Sequence, residues 1–431
     1  MLSEQLLSFL VGLVDTYLAG HVSKEATVAV GTASYLGWFV MLAFTLVGVG
    51  AAALVSRALG AADRATANMG LNQSLLLALA TGIAVSVASY SCAPLLAGFL
   101  TRTDEAAALT THYLQIISLC YVLASVNLVG SSVLRSAGDT RTPLRIMTLV
   151  NIINIVVAAG LVYGWFGLRM GVTGIAIGAL TARSAGGLLM LLVLARGLGP
   201  LRMRAALLAP HWQTLRRILR VGIPAAADTG IMTVAQLAFV RIISRTAEGD
   251  AGTANYAAHV IAMQIEALSY LPALAWGTAA ATMVGQYLGA RQEHRAQQAG
   301  HAAAMQGVCI GVCAGLTFWF FAESIFSLMT AEPTVRAVGA PAMRLLGFAQ
   351  PFLCAAIIYI TALRGAGDTR STLAMSIVGG LMLRVPGAYL GGIVLHGGLI
   401  GAWCGMWADN VAKCALATGR FMQGGWKRAR V

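Results

Sequence analysis

The sequence predicts an all-α polytopic membrane protein, with about twelve transmembrane helices in two six-helix lobes related by a pseudo-two-fold axis along the membrane normal. Three observations lead there. The first is composition: 58% of the 431 residues are hydrophobic and only 10% are charged, where a soluble domain carries about 25% charged residues. Mean hydropathy is +0.77, and apolar runs long enough to cross a bilayer recur from end to end. The second is a stretch that occurs twice, VLRSAGDTRTPL at Val133–Leu144 and ALRGAGDTRSTL at Ala362–Leu373, 229 positions apart from Arg135 to Arg364. A second pair, AAALVSRALGA at Ala51–Ala61 and AATMVGQYLGA at Ala280–Ala290, keeps that offset, so the chain reads as two copies of one unit. The third is the placement of Lys and Arg. Alternate loops with the C-terminal tail hold 19 of them and the opposite loops hold 6, which puts both termini on the cytoplasmic side of a bacterial-type inner membrane. Six spans per copy is an even number, so both copies insert the same way up.

In order, the first lobe (1–195) contains spans near 2–20, 32–56, 71–99, 110–133, 143–164 and 171–195. The first begins abruptly. Span 7 is preceded by LRRILRVGIPAAADTGIM and nothing equivalent precedes Met1, so a first helix short by roughly a dozen residues is expected. Residues 1–20 carry Glu4 and Asp15 and no basic leader, so no cleavable signal is expected. A basic cytoplasmic linker follows at 196–218, with Pro200 and Pro210, and its Leu-rich middle reads as a short amphipathic helix on the membrane surface. The second lobe (219–420) contains spans near 219–243, 255–287, 301–327, 341–363, 373–395 and 398–420, and a basic cytoplasmic tail closes the chain at 421–431. The net charge of +13 sits in short loops, so membrane topology accounts for it and no nucleic-acid partner is expected. The seven cysteines are scattered singly, Cys309 and Cys313 being four apart, and read as small packing residues rather than metal or redox groups.

Within spans, the informative residues are polar. An acid at a helix centre costs about 2.5–3.5 kcal/mol on insertion scales, so each is a functional candidate. Of 16 acids most lie in loops, and the candidates for burial within spans are Asp15, Asp228, Glu266 and Asp409. Asp15, in SFLVGLVDTYLAG, reads as a protonatable carboxylate facing a cavity, or as an acid reaching headgroup water. Asn151 and Asn154, one turn apart on span 5, either line the same cavity or bond a neighbouring helix. Glu266, with Gln264 nearby, and Gln236 and Asp228 on span 7 are further cavity candidates. Asp409 and Lys413 have the spacing of a local ion pair. Asp139 and Asp368 follow Gly and precede Thr-Arg, which suits a turn with an Asp cap. Arg135 and Arg364 suit anionic lipid headgroups. No nucleotide-binding loop, HExxH or nucleophile motif is present, so no enzyme activity is expected.

Two parallel six-helix copies, the LRxAGDTR loops after spans 4 and 10, and GQ-LGA after span 8 together resemble the multidrug and toxic compound extrusion (MATE) family. VGLVDTYLAG and QLAFVRIISR look closest to its DNA-damage-inducible-F-like branch. The resemblance covers nearly the whole chain. It implies a V-shaped two-lobe fold that alternates between outward and inward openings, and a secondary active antiporter exporting amphipathic, cationic organic compounds in exchange for protons or Na+. Asp15 and Asn154 match the family's first-lobe cation site. That site's second aspartate and its threonine are replaced by Ala158 and Ala179. The second-lobe glutamate of some branches aligns with Gln236, and Gln350–Ile360 holds no acid. The remaining partners expected are membrane lipid and small organic substrates, with no cofactor and a monomeric state. Two other functions stay open: a flippase for a lipid-linked precursor or polysaccharide, favoured if Arg183 and Arg384 give a cationic cavity, and a non-transporting membrane scaffold.

Overall fold

The computed structural model describes residues 1–101, 104–165, 167–247 and 249–429. Arg102 and Arg430, counted above for orientation, lie outside these residues, as does the side chain of Lys24. Helices account for nearly all of the described chain, and the only β feature among these residues is an isolated bridge between Leu198 and Leu201. Among the described residues ten helices are long and apolar enough to cross a membrane, or eleven if one bent pair counts as a single span.

The chain divides into two compact units inside one helix, after Ile223 and at Pro224. The first contains α1 (Leu2–Val22), α2 (Lys24–Gly60), α3 (Arg64–Leu100), α4 (Asp104–Ser118), α5 (Tyr121–Ser136), α6 (Arg141–Tyr163) and α7 (Gly171–Arg196). The span expected at 110–133 is α4 and α5 together, bent by 51°. Nothing in ISLCYVLA announces that bend, since it holds neither Pro nor Gly. The second unit takes most of α8 (Trp212–Ile243), then α9 (Gly249–Gly289), α10 (Glu293–Met329) and α11 (Pro333–Gly365). The span expected at 373–395 is a short α12 (Thr369–Ser376), a π-helical stretch Ile377–Arg384, one α-turn α13 (Val385–Tyr389) and a second π stretch Leu390–Val394. The last helix, α14 (Gly398–Gln423), falls short of the apolarity of a span because Asp409, Asn410 and Lys413 interrupt it. Each unit thus holds six helical segments of spanning length, counting the bent pair and the π-interrupted run as one each.

Each unit has two apolar cores. In the first, one gathers Leu18, Val30, Phe44, Tyr113 and Ile175, and the other Val47, Leu71, Val133, Met190 and Leu201. In the second, one gathers Phe239, Phe326, Met343 and Trp403, and the other Val284, Ile358, Leu363, Phe421 and Trp426. In each unit, therefore, one core includes residues from beyond its sixth segment.

The linker is not an amphipathic helix. Residues 212–218 already belong to α8, and between Gly197 and His211 the chain, apart from a three-residue 3-10 turn at Ala205–Leu207, runs irregularly along α3, where side-chain amides supply hydrogen bonds that a helix would have made internally. Asn68 Nδ2 donates to the Pro200 carbonyl and its Oδ1 accepts from Arg202 N. Asn72 Nδ2 donates to the Arg202 carbonyl, and its Oδ1 accepts from Arg204 N. Gln73 Nε2 donates to the Leu207 and Ala209 carbonyls, and its Oε1 accepts from His211 N. The second unit repeats the arrangement: Lys427 of the tail donates to Gln297 Oε1 on α10, and Trp426 stacks on Phe421 at 4.6 Å.

Candidate functional site: a polar cluster inside each lobe

In the first lobe the cluster is built on α1. Much of this helix is exposed, and Asp15, Leu18 and Ala19 are the residues that turn inward. Asp15 is 5% exposed, and its Oδ1 has no hydrogen-bond partner. Asn154 on α6 faces it, fully buried, with neither amide atom closing a bond of good geometry. Arg183 on α7 lies within electrostatic reach of Asp15, among Tyr113, Cys120 and Tyr121. Asn151 is buried one turn from Asn154 but spends its amide on its own helix, donating to the Met147 carbonyl at 2.9 Å. Ala158 and Ala179 close this part of the cluster with hydrocarbon. Gly178 lets α7 approach α6 so closely that a Cβ added there would lie 2.6 Å from that of Ala158, leaving little room for a larger side chain at 158.

In the second lobe the cluster centres on Asp409 of α14, which is fully buried. Lys413 Nζ lies 2.8 Å from its Oδ1, as the local spacing predicts, and donates to Oδ2 at 3.0 Å. Arg384, from the end of the π stretch, adds a second cation with its Nε 2.8 Å from Asp409 Oδ2. Arg384 Nη1 donates to Gln236 Oε1 at 2.9 Å, and its guanidinium sits 5.8 Å from the Phe239 ring centre. Gly379 is required here, because a Cβ at that position would collide with Asp409 Oδ1. Glu266, 6% exposed, bonds no cation. Its Oε1 accepts from Gln350 Nε2 at 3.3 Å. Gln264 is exposed on α9 and is not brought into this cluster.

The repeated loops hold their own lobes together. Arg364 Nη2 donates to Asp228 Oδ2 at 2.6 Å, and Arg135 Nη1 to Glu4 Oε1 at 2.5 Å. The arginines therefore bind the first helical segment of each lobe, and Asp228, a cavity candidate on sequence grounds, is held as an ion-pair partner. Asp139 Oδ1 accepts from the backbone N–H groups of Arg141 and Thr142, as an N-terminal cap does. Asp368 accepts from Ser371 Oγ and from Arg420 Nε of α14. Sequence reasoning singled out Asp409 and Lys413 as a pair but gave Arg384 no partner, because that partner arrives from another helix. It also missed Asn68, Asn72 and Gln73. Their i, i+4, i+5 spacing on an otherwise apolar helix was the available signal.

This geometry defines a class: a membrane protein of two repeated helical lobes, each with a charged cluster sealed inside it and no set of His, Cys, Asp or Glu groups suited to a metal among the described residues. The chain belongs to the MatE family, whose model matches it twice, over residues 1–159 and 224–390. It is similar to the probable multidrug resistance protein NorM of Thermotoga maritima, with 29% identity over all of this chain and 92% of that one. It is similar also to the multidrug resistance protein MdtK of Pectobacterium atrosepticum, with 27% identity over 92% of this chain and 87% of that one. A solved structure described as the outward-facing conformation of a multidrug resistance MATE family transporter of the MOP superfamily shares the fold, with a TM-score of 0.90 and 22% identity, covering 99% of this chain and 94% of the other.

Proposed function

We propose that the protein is a secondary active antiporter that exports amphipathic, cationic organic compounds in exchange for protons by alternating access, with Asp15 as the proton-carrying group of the first lobe. The observation that carries this reading is the Asp15–Asn154 pair: a buried carboxylate with an unbonded oxygen, facing a buried amide with no committed partner. Such groups are costly to bury unless something fills the gap between them, and a proton or a cationic guest each does so. Arg183 supports the exchange. With Asp15 ionised the pair is neutral, and with Asp15 protonated the arginine charge stands alone and disfavours a cation beside it. Protons are favoured over Na+ because a sodium cage needs several oxygen ligands, and the positions that would supply two of them are Ala158 and Ala179.

A flippase for an anionic, lipid-linked precursor is the second reading, motivated by Arg183 and Arg384. It is weakened because Arg384 is paired with Asp409 and Arg183 has Asp15 within electrostatic reach, each an acid of its own lobe. The test uses proteoliposomes loaded with tetraphenylphosphonium. A pH gradient alone should drive its efflux and a sodium gradient alone should not. Asp15→Asn, which fixes the uncharged state that disfavours a cation beside Arg183, should abolish proton-driven efflux and weaken tetraphenylphosphonium binding. Sodium-driven efflux without a pH gradient would overturn the ion assignment, and wild-type protein that moves none of this cation would overturn the substrate class.

A further inference from the structure

Six charged side chains of the second lobe interact inside it. Arg364 binds Asp228, and Arg384 and Lys413 share Asp409. Those five carry one surplus positive charge, and the sixth, Glu266, has Arg384 within electrostatic reach. The set is neutral only when Glu266 is ionised. Asp368, the other buried acid of this lobe, is paired with Arg420. The groups facing Glu266 come from each element around it: Gln350 and Cys354 from α11, Arg384 from the π stretch with Asp409 and Lys413 of α14 behind it, and Ser269 and Tyr270 from α9 itself. None pairs with it from α10 among the described residues.

The hydrogen bonds around Glu266 have two complete arrangements. In the one present, Gln350 Nε2 donates to Glu266 Oε1 at 3.3 Å, and Ser269 Oγ donates to Gln350 Oε1 at 2.7 Å. That suits a carboxylate, which only accepts. The Ser269 hydroxyl has a second acceptor at the same distance, the Glu266 carbonyl at 2.7 Å. If the hydroxyl turns to that carbonyl, the Gln350 amide can rotate. Its Nε2 then donates to Ser269 Oγ, and its Oε1 accepts an O–H from protonated Glu266. In both states the Glu266–Gln350 and Gln350–Ser269 contacts are kept with donor and acceptor exchanged, so a proton is added or removed without breaking either.

We propose that Glu266 is a second proton-exchanging group, in the C-terminal lobe, switched by rotation of the Gln350 amide against Ser269. The step is Glu266–COO⁻ plus a proton from water giving Glu266–COOH, with the same proton later returned to water. Protonation leaves the lobe with the surplus charge of the Arg384–Asp409–Lys413 group and disfavours a cation there, and deprotonation restores neutrality. The coupling of this step to export rests on the antiport reading above. The proton exchange itself does not.

The test is infrared difference spectroscopy of the reconstituted protein between mildly acidic and alkaline pH, in the Asp15→Asn background so that only other carboxyls titrate. A protonated-carboxyl band should appear on acidification, vanish when Glu266→Gln is added, and return shifted with Glu266→Asp. Ser269→Ala, which removes the amide's hydroxyl partner from both arrangements, should change the frequency or the midpoint of the band. A band unchanged by Glu266→Gln, or no titrating band at all, overturns the proposal whether or not any drug is transported. For coupling, protons released per tetraphenylphosphonium bound should fall by about half in Glu266→Gln with Asp15 intact, as expected when one of two linked groups is removed. Unchanged release with normal binding would show that Glu266 is not linked to the substrate, whereas absent binding in the wild type would instead refute the cationic-substrate reading and leave the infrared result to decide the proton site.

Discussion

Asp228 has no solvent-exposed side-chain surface, and Arg364 is its one ion-pair partner among the described residues. Removing one member of a buried pair leaves an uncompensated charge and costs about 3–5 kcal/mol, whereas replacing both with apolar residues is often neutral. Arg364→Met should therefore lower the melting temperature of the detergent-solubilised protein sharply, and Arg364→Met with Asp228→Leu should recover most of the loss. Equal melting of the single and double variants would show that the pair does not set this stability. At this scale the sequence was readable where chemistry conflicted with surroundings. Asp15 and Glu266 stood out because acids are rare in apolar runs, and Asp139 because Gly-Asp-Thr is turn chemistry. The partners of Arg135 and Arg364 were not readable, because each lies more than a hundred residues away on another helix and is chosen by packing.

The helices and their joints show a different balance. Apolar run length located all twelve helical segments, including those of π winding, because burying an apolar surface demands length whatever the exact turn. The bend between Ser118 and Tyr121 carried no Pro or Gly to announce it, and the Gly and Pro residues of 377–394 did not by themselves specify π winding; within that segment Gly379 lies against Asp409 of α14. Gly379→Ala is expected to push Asp409 away from Arg384, with a destabilisation of about 1–3 kcal/mol, typical of overpacking. A thermal melt reads it, and an unchanged melt would mean that the segment yields freely. The α3 clasp makes a separate prediction. Gln73→Ala removes three hydrogen bonds to the linker backbone, so trypsin should cut after Arg202 or Arg204 several-fold faster while the melting temperature changes little. Equal cleavage rates would show that the amide does not hold the segment.

For the molecule as a whole, the repeat was the most legible feature, because one offset governs both the loops and the helices before them, and the family model matches the chain in two parts. Orientation rests on charge alone. Alkaline phosphatase fused after the last residue should be inactive and a fluorescent protein at the same place should fluoresce, both reporting a cytoplasmic C-terminus. An active phosphatase would invert the assignment. The clasp on α3 and the contact of Lys427 with α10 reach further. Asn68 and Gln297 are separated by the same 229 positions as the loop arginines, so the segment leaving each lobe's sixth helix is received by the same helix of that lobe. What joins the lobes is therefore, structurally, the closing segment of the first. A half-length ancestral gene, copied and fused in tandem, would leave this arrangement, with each descendant half keeping the means by which the ancestor once ended.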